Sequence, residues 1–293
     1  MKKCLSLLTL VLVLSLLSGC AGSAPETAQV AATTLPVYTF ASRILEGTGI
    51  SCRRLVTEQV SCLHDYALNI DQVRCSESAE VIVISGAGLE DFLGDLLKED
   101  KIIDASEGIS LLKARGHHHE EEEEEHHHDH DPHIWLSPEN GKIMAENIFR
   151  GLAGKYPDQK DTMEANLQTL LADLDDLQSY ADRQLKDLSC REIVTFHDGF
   201  AYLAQAFDLT ILRSIEEEHG SEASARDLSD LIDLVRAHKL PAIFTEQNGS
   251  DAAASVISAE TGVRTYALTT AMSGDDYFAA MRQNIDTLKE ALS

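Results

Sequence analysis

Three histidines fall where a metal ion would find them. His64 lies in TEQVSCLHDYAL, shortly after an expected strand, and His197 lies in EIVTFHDGF, immediately beyond an expected strand ending at Phe196. His133 lies in DPHIWLSP, where an acidic run stops and the chain turns apolar at Ile134, Trp135 and Leu136. Neutral imidazole is a borderline-soft nitrogen donor, so three of them suit Zn2+, whereas Mn2+ prefers carboxylate and water oxygens. Singly, each is an ordinary polar loop residue. Jointly, one in each half and one at the join, they point to a metal held between two lobes. Asp65 and Asp198 directly follow two of these histidines and can orient them as hydrogen-bond acceptors.

Three histidines and a water on zinc is also the ligand set of a hydrolytic or hydrating enzyme, because the metal brings the pKa of bound water down to about 7. The chain has no HExxH and no GxSxG, and no residue nominates itself as general base. A binding protein is therefore the better reading. A surface adhesin would leave no mark in the sequence and is compatible with metal binding.

Just before His133 the chain reads RGHHHEEEEEEHHHDHD, with seven histidines (His117, His118, His119, His126, His127, His128 and His130) interleaved with acids. A purification tag would be a pure histidine run at a terminus, and this tract is internal and interrupted. Six adjacent glutamates repel one another and bury nothing, so residues 115–131 are expected to be mobile. Glutamate alone would serve as a solvated run. The histidines add a zinc-collecting role that raises the local metal concentration.

The elements that must position these residues alternate strand and helix. Expected strands are 30–34, 50–56 and 81–85, with helices at 37–45, 69–78 and 90–97. Such alternation argues for an α/β lobe built on a parallel sheet covered on both faces. Over 161–188, Met163, Leu167, Leu170, Leu171, Leu174, Leu177, Ala181, Leu185 and Leu188 recur at helical spacing with no Gly or Pro. That predicts one helix of about 28 residues, about 42 Å long, able to join two lobes. A second α/β lobe follows, with strands at 192–196, 209–212, 242–245 and 264–268 and helices at 200–206, 224–238, 251–260 and 277–292. The organisation expected is a leader at 1–20, a first lobe at 21–136, linker helices at 137–188 and a second lobe at 189–293.

Residues 1–20, MKKCLSLLTLVLVLSLLSGC, carry two lysines and an apolar run of about 13 residues, too short for a bilayer that needs about 20. A signal peptide fits, and its Leu-Ser-Gly-Cys ending resembles the lipobox of bacterial lipoproteins. That resemblance implies cleavage before Cys20 and a lipid on its thiol. The formal charge of −25 excludes a nucleic-acid binder, which needs a basic face. Of the remaining cysteines, Cys52, Cys62, Cys75 and Cys190 permit two disulfides in three connectivities, and no CxxC pair suggests a thiolate zinc cluster. His238, at the end of a helix, reads as a surface residue, and His219 as part of a solvated loop.

Over residues 29–292 the chain resembles the metal-binding solute-binding proteins of bacterial ABC importers for zinc, manganese and iron, with the zinc subgroup the nearest. The resemblance rests on CLHDY, the His-rich acidic loop ending in DPHIWLSP, the long central helix, VTFHDGFAYLAQAF, SARDLSDLI and IFTEQ. It implies that the three metal ligands are His64, His133 and His197. It further implies an ABC permease and its ATPase as partners, attachment to the membrane through the lipid alone, an extracytoplasmic place and a monomer. The family usually supplies a fourth, acidic ligand from the loop after the last strand. Here that loop reads YALTTAMSGDDYF, with Thr269 and Thr270 at the acid's place. Water is the expected fourth ligand, with Glu246 or Asp275 as protein alternatives.

Overall fold

A computed structural model describes residues 28–59, 63, 66–96, 99–114, 130–216 and 224–293. Among them lie two four-stranded sheets, each wholly parallel. The first has the order β2-β1-β3-β4, from β1 (Val30–Ala32), β2 (Cys52–Arg54), β3 (Val81–Ile84) and β4 (Ile102–Asp104). The second has the order β6-β5-β7-β8, from β5 (Glu192–His197), β6 (Thr210–Glu216), β7 (Ala242–Glu246) and β8 (Arg264–Leu268). Central strands of a parallel sheet are covered on both faces and so read as unbroken apolar runs. β3, Val-Ile-Val-Ile, is buried at every position.

The helices are α1 (Leu35–Ile44), α2 (Ile70–Ser78), α3 (Pro138–Lys155), α4 (Lys160–Gln184), α5 (Ala201–Ala206), α6 (Ala225–His238), α7 (Ala252–Thr261) and α8 (Tyr277–Leu292). Their ends follow local chemistry. Pro36 occupies the first turn of α1. Asn69 and Gln72 form a reciprocal capping box on α2, and Ser224 and Asp227 do the same on α6.

Helix α4 buries the stripe Met163, Leu167, Leu170, Leu174, Leu177 and Ala181. These residues belong to one continuous core with Phe40 and Val83 of the first lobe and Phe244, Met281 and Leu288 of the second. Each fully buried leucine contributes roughly 2 kcal/mol of transfer free energy. Gly141 lets α3 approach α4 closely, since a Cβ there would stand 3.2 Å from Leu174 Cδ2. Smaller clusters cover the outer faces, around Leu231, Ile243 and Ile257 in one lobe and Leu55, Cys75 and Ile82 in the other.

Several expectations are corrected. The helix expected at 90–97 is a 3-10 segment, Asp91–Leu96, because Gly94 at φ 45°, ψ −125° breaks helical geometry. Helix α4 has 25 residues and ends at Gln184, and Leu188 packs beyond its end. The strand expected to stop at Phe196 runs one residue further, so His197 is itself the last strand residue. Strand β4 was not expected, since three half-buried residues show no period. Cys52, Cys75 and Cys190 are free thiols, and Cys62 lies outside the described residues. No helix among the described residues is long and apolar enough to cross a membrane.

Candidate metal centre

In an open parallel sheet the strand order reverses at one point, leaving a crevice at the carboxyl ends of the strands. In the second sheet that point lies between β5 and β7, whose last residues are His197 and Glu246. Thr195 pairs with Phe244. Two residues further along both strands, His197 and Glu246 therefore share one face at one level. Both are buried, at 6% exposure each. In the first sheet the reversal falls between β1 and β3, and the protein fills that crevice itself. The Glu90 carboxylate accepts hydrogen bonds from Thr33 Oγ1 at 2.7 Å, Ser85 N at 2.7 Å and Gly86 N at 3.0 Å. Burial is the dominant influence on Glu90 and pushes its carboxyl up to about 7, against the lowering effect of those hydrogen bonds.

His133 reaches the second-lobe crevice from the join between the lobes. It precedes the 3-10 turn Ile134–Leu136, whose three side chains are fully buried. Trp135 Nε1 donates to Thr270 O at 2.7 Å, and Tyr277 Oη donates to Trp135 O at 2.7 Å. The apolar Ile-Trp-Leu segment thus anchors His133 against the loop after β8 and against α8.

The two imidazoles meet edge to face, with interplanar angle 87° and Nε2 atoms 3.3 Å apart. A tetrahedral ion with nitrogen bonds of ~2.0–2.1 Å has donor atoms about 3.3 Å apart, so this pair matches one edge of a zinc tetrahedron. Gly199 makes room for them. A Cβ at that position would lie 2.6 Å from both His133 Cε1 and His197 Nε2. Asp131 Oδ1 accepts from the backbone N of His133 at 2.9 Å and stands 2.8 Å from its Nδ1. Asp131, Asp198 and Glu246 are all buried acids on or next to this crevice and its loop, a setting that favours a cation.

The structure places the remaining expected residues as follows. His64, Asp65, Cys20, His219 and six of the tract histidines (His117, His118, His119, His126, His127 and His128) lie outside the described residues. Among the described residues no three His, Cys, Asp or Glu side chains converge as a metal cluster; His133 and His197 are a pair. His130 forms an antiparallel bridge with Lys113, and Asp131 N donates to Leu112 O at 2.9 Å, so these residues close the stem of the tract. His238 pairs with Glu192 at 2.8 Å on the surface.

The loop after β8 is committed to its own turn. Thr269 Oγ1 accepts from Ala271 N at 3.0 Å, and Asn284 of α8 bonds both the N and O of Thr269. Asp275 is solvent-exposed. Sequence reasoning missed Asp131, Gly199 and Tyr202. For Asp131 a signal existed in the order Asp-Pro-His, since Pro132 has no N–H and holds a fixed φ, leaving the aspartate to bond the histidine beyond it.

Fold and site together define a two-lobed α/β protein with paired imidazoles at the join. The chain belongs to the ZnuA family, described as zinc-uptake complex component A, periplasmic, whose model matches residues 30–291. It is 30% identical over 277 residues to the zinc-binding lipoprotein AdcA of Streptococcus pneumoniae, covering 89% of this chain and 55% of that protein. The chain thus spans about half the length of the AdcA relatives it matches. It is also 26% identical over 249 residues to the manganese ABC transporter substrate-binding lipoprotein PsaA of Streptococcus anginosus, covering 78% of each. A crystal structure of ZnuA superposes with a TM-score of 0.77 at 28% identity, over 91% of this chain and 100% of that one. The family is one of uptake components rather than of hydrolases.

Proposed function

We propose that this protein binds Zn2+ outside the cytoplasm through His64, His133 and His197 and delivers it to an ABC permease driven by its ATPase. The observation that carries this reading is the 3.3 Å separation of the two buried Nε2 atoms at the second-lobe crevice. An all-imidazole donor set favours zinc over manganese, which is the cargo named for the PsaA relative. AdcA is named as zinc-binding. The lobes are taken to be residues 21–136 and 189–293 with the helices of 137–188 between them. Cleavage before Cys20 and acylation of its thiol would tether a monomer to the membrane, and the histidines of the tract would gather zinc near the crevice.

Water completes the coordination, because Thr269 is spent on its turn. A second reading has its own support, namely that Glu246 ends the strand next to His197 on the same face. Competition titration of single alanine variants tests the ligand set. His64→Ala, His133→Ala and His197→Ala should each weaken zinc on the order of 100-fold or more, beyond the 10–100-fold typical of losing an outer partner. Any one that binds zinc as the unaltered protein does is not a ligand.

A further inference from the structure

We infer that Asp131, clamped by Tyr202, is a positioning residue that fixes the tautomer of His133 and so turns Nε2 of that ring into the zinc donor. The inference rests on the assignment of His133 as a ligand. A neutral imidazole carries its proton on one nitrogen and offers a lone pair on the other. Only the form protonated at Nδ1 can bind a metal through Nε2. Asp131 Oδ1 stands 2.8 Å from Nδ1, and the carboxylate is 2% exposed. A carboxylate can accept but not donate, so this contact selects the Nδ1–H form. The same oxygen accepts the backbone N–H of His133, which fixes the direction from which it approaches the ring.

What holds Asp131 comes from the other lobe. Tyr202 lies on α5, three residues beyond Gly199, and is buried. Its hydroxyl donates to Asp131 O at 3.2 Å and accepts from Leu112 N at 2.8 Å. Asp131 N in turn donates to Leu112 O. One phenol therefore binds both strands of the tract's stem to the helix that starts just after His197. The spacing of the two imidazoles is set by a closed circuit running from His197 through α5, Tyr202 and Asp131 to His133. Among the described residues Asp131 Oδ2 has no hydrogen-bond partner. A buried carboxylate behind the ring favours a dication on the far side of the imidazole.

Three variants test this. Asp131→Ala should weaken zinc about 10- to 100-fold, in the range expected when an outer partner of a ligand histidine is lost. Asp131→Asn, which keeps the shape and one acceptor but not the charge, should fall between it and the unaltered protein. Tyr202→Phe, which removes one hydroxyl one contact further from the ion, should weaken zinc by less than the roughly 10- to 100-fold typical of losing the carboxylate itself. A purely structural role would not move the tautomer, so long-range proton–nitrogen correlation spectra of the metal-free proteins supply the second readout. His133 should carry its proton on Nδ1 in the unaltered protein and shift towards Nε2 in Asp131→Ala. The inference is overturned if Asp131→Ala folds and binds zinc within twofold of the unaltered protein, or if His133 keeps its proton on Nδ1 without the carboxylate. Should Asp131→Ala fail to fold, Asp131→Asn and Tyr202→Phe decide, and unchanged zinc affinity in both overturns it. If His133→Ala itself binds zinc normally, the ligand assignment fails first and takes this inference with it.

Discussion

Nε2 of His133 and Nε2 of His197 lie 3.3 Å apart, although the residues are 64 positions apart in sequence and one comes from the join while the other ends a strand of the second sheet. That separation equals one edge of a tetrahedron of nitrogen donors around a zinc ion, which is why the ligand set proposed above includes both. What keeps them there is the Tyr202 and Asp131 contacts behind His133, together with the absence of a side chain at Gly199.

That absence is testable at Gly199. The position has no positive φ, so alanine is conformationally allowed there and its effect comes from the methyl group meeting the two rings at about the 2.6 Å contacts described. Gly199→Ala should fold and melt within a few degrees of the unaltered protein, yet bind zinc at least about tenfold more weakly, as expected for rings displaced from a fixed coordination geometry. The check is a thermal melt beside a zinc competition titration. Retained affinity would mean that the rings bind the ion in some other arrangement.

The fourth position separates water from Glu246. If water completes the site, Glu246→Gln should lower zinc affinity by less than about tenfold, the lower end for an outer partner. A loss beyond about 100-fold would make Glu246 a direct ligand. In the water case, Thr269→Asp adds a charged oxygen donor to the loop after β8 and should strengthen manganese more than zinc. An aspartate can also keep the turn by accepting from Ala271 N, as Thr269 does. Both ions should be titrated at one pH, because protons compete for histidine.

Glu90 predicts a pH dependence in the opposite crevice. Its folded pKa, about 7, lies above the ordinary 4.5, so between these values the folded state holds a proton that the unfolded chain has lost. The stability this contributes is fully present below pH 4.5 and is lost as pH rises through 7. The total is on the order of 3 kcal/mol. Urea midpoints of the metal-free protein at pH 5 and pH 8 should therefore fall further in the unaltered protein than in Glu90→Gln. Equal falls would show that Glu90 is ionised throughout.

Much of this was legible in the chain. Parallel strands buried on both faces, such as Val81–Ile84, are visible as apolar runs, and the α4 stripe is visible at helical spacing. His197 is marked by its place at a strand end, and His133 by the change from acidic to apolar sequence. Other features were hidden for physical reasons. Ile102–Asp104 is too short to show a period, and Gly94 breaks a helix through a backbone angle that its neighbours conceal. The acids that directly follow a histidine, Asp65 and Asp198, are the visible candidates for orienting it, whereas the carboxylate that holds His133 precedes it, at Asp131. Tyr202 could not be found from sequence at all, because its two partners, Leu112 and Asp131, become neighbours only when the stem of the tract closes.

The ligand set is tested most directly by removing the weak sites and titrating what is left. Protein lacking residues 116–129 should be titrated with Zn2+ and Mn2+ against a competing chelator in one buffer, beside the same protein carrying His133→Ala and His197→Ala. One tight zinc per chain is expected, with manganese markedly weaker because an all-imidazole donor set suits zinc and not the harder ion, and with loss of the tight site in the double variant. The ligand set would be contradicted by manganese binding as tightly as zinc, or by a tight zinc site that survives without the two histidines.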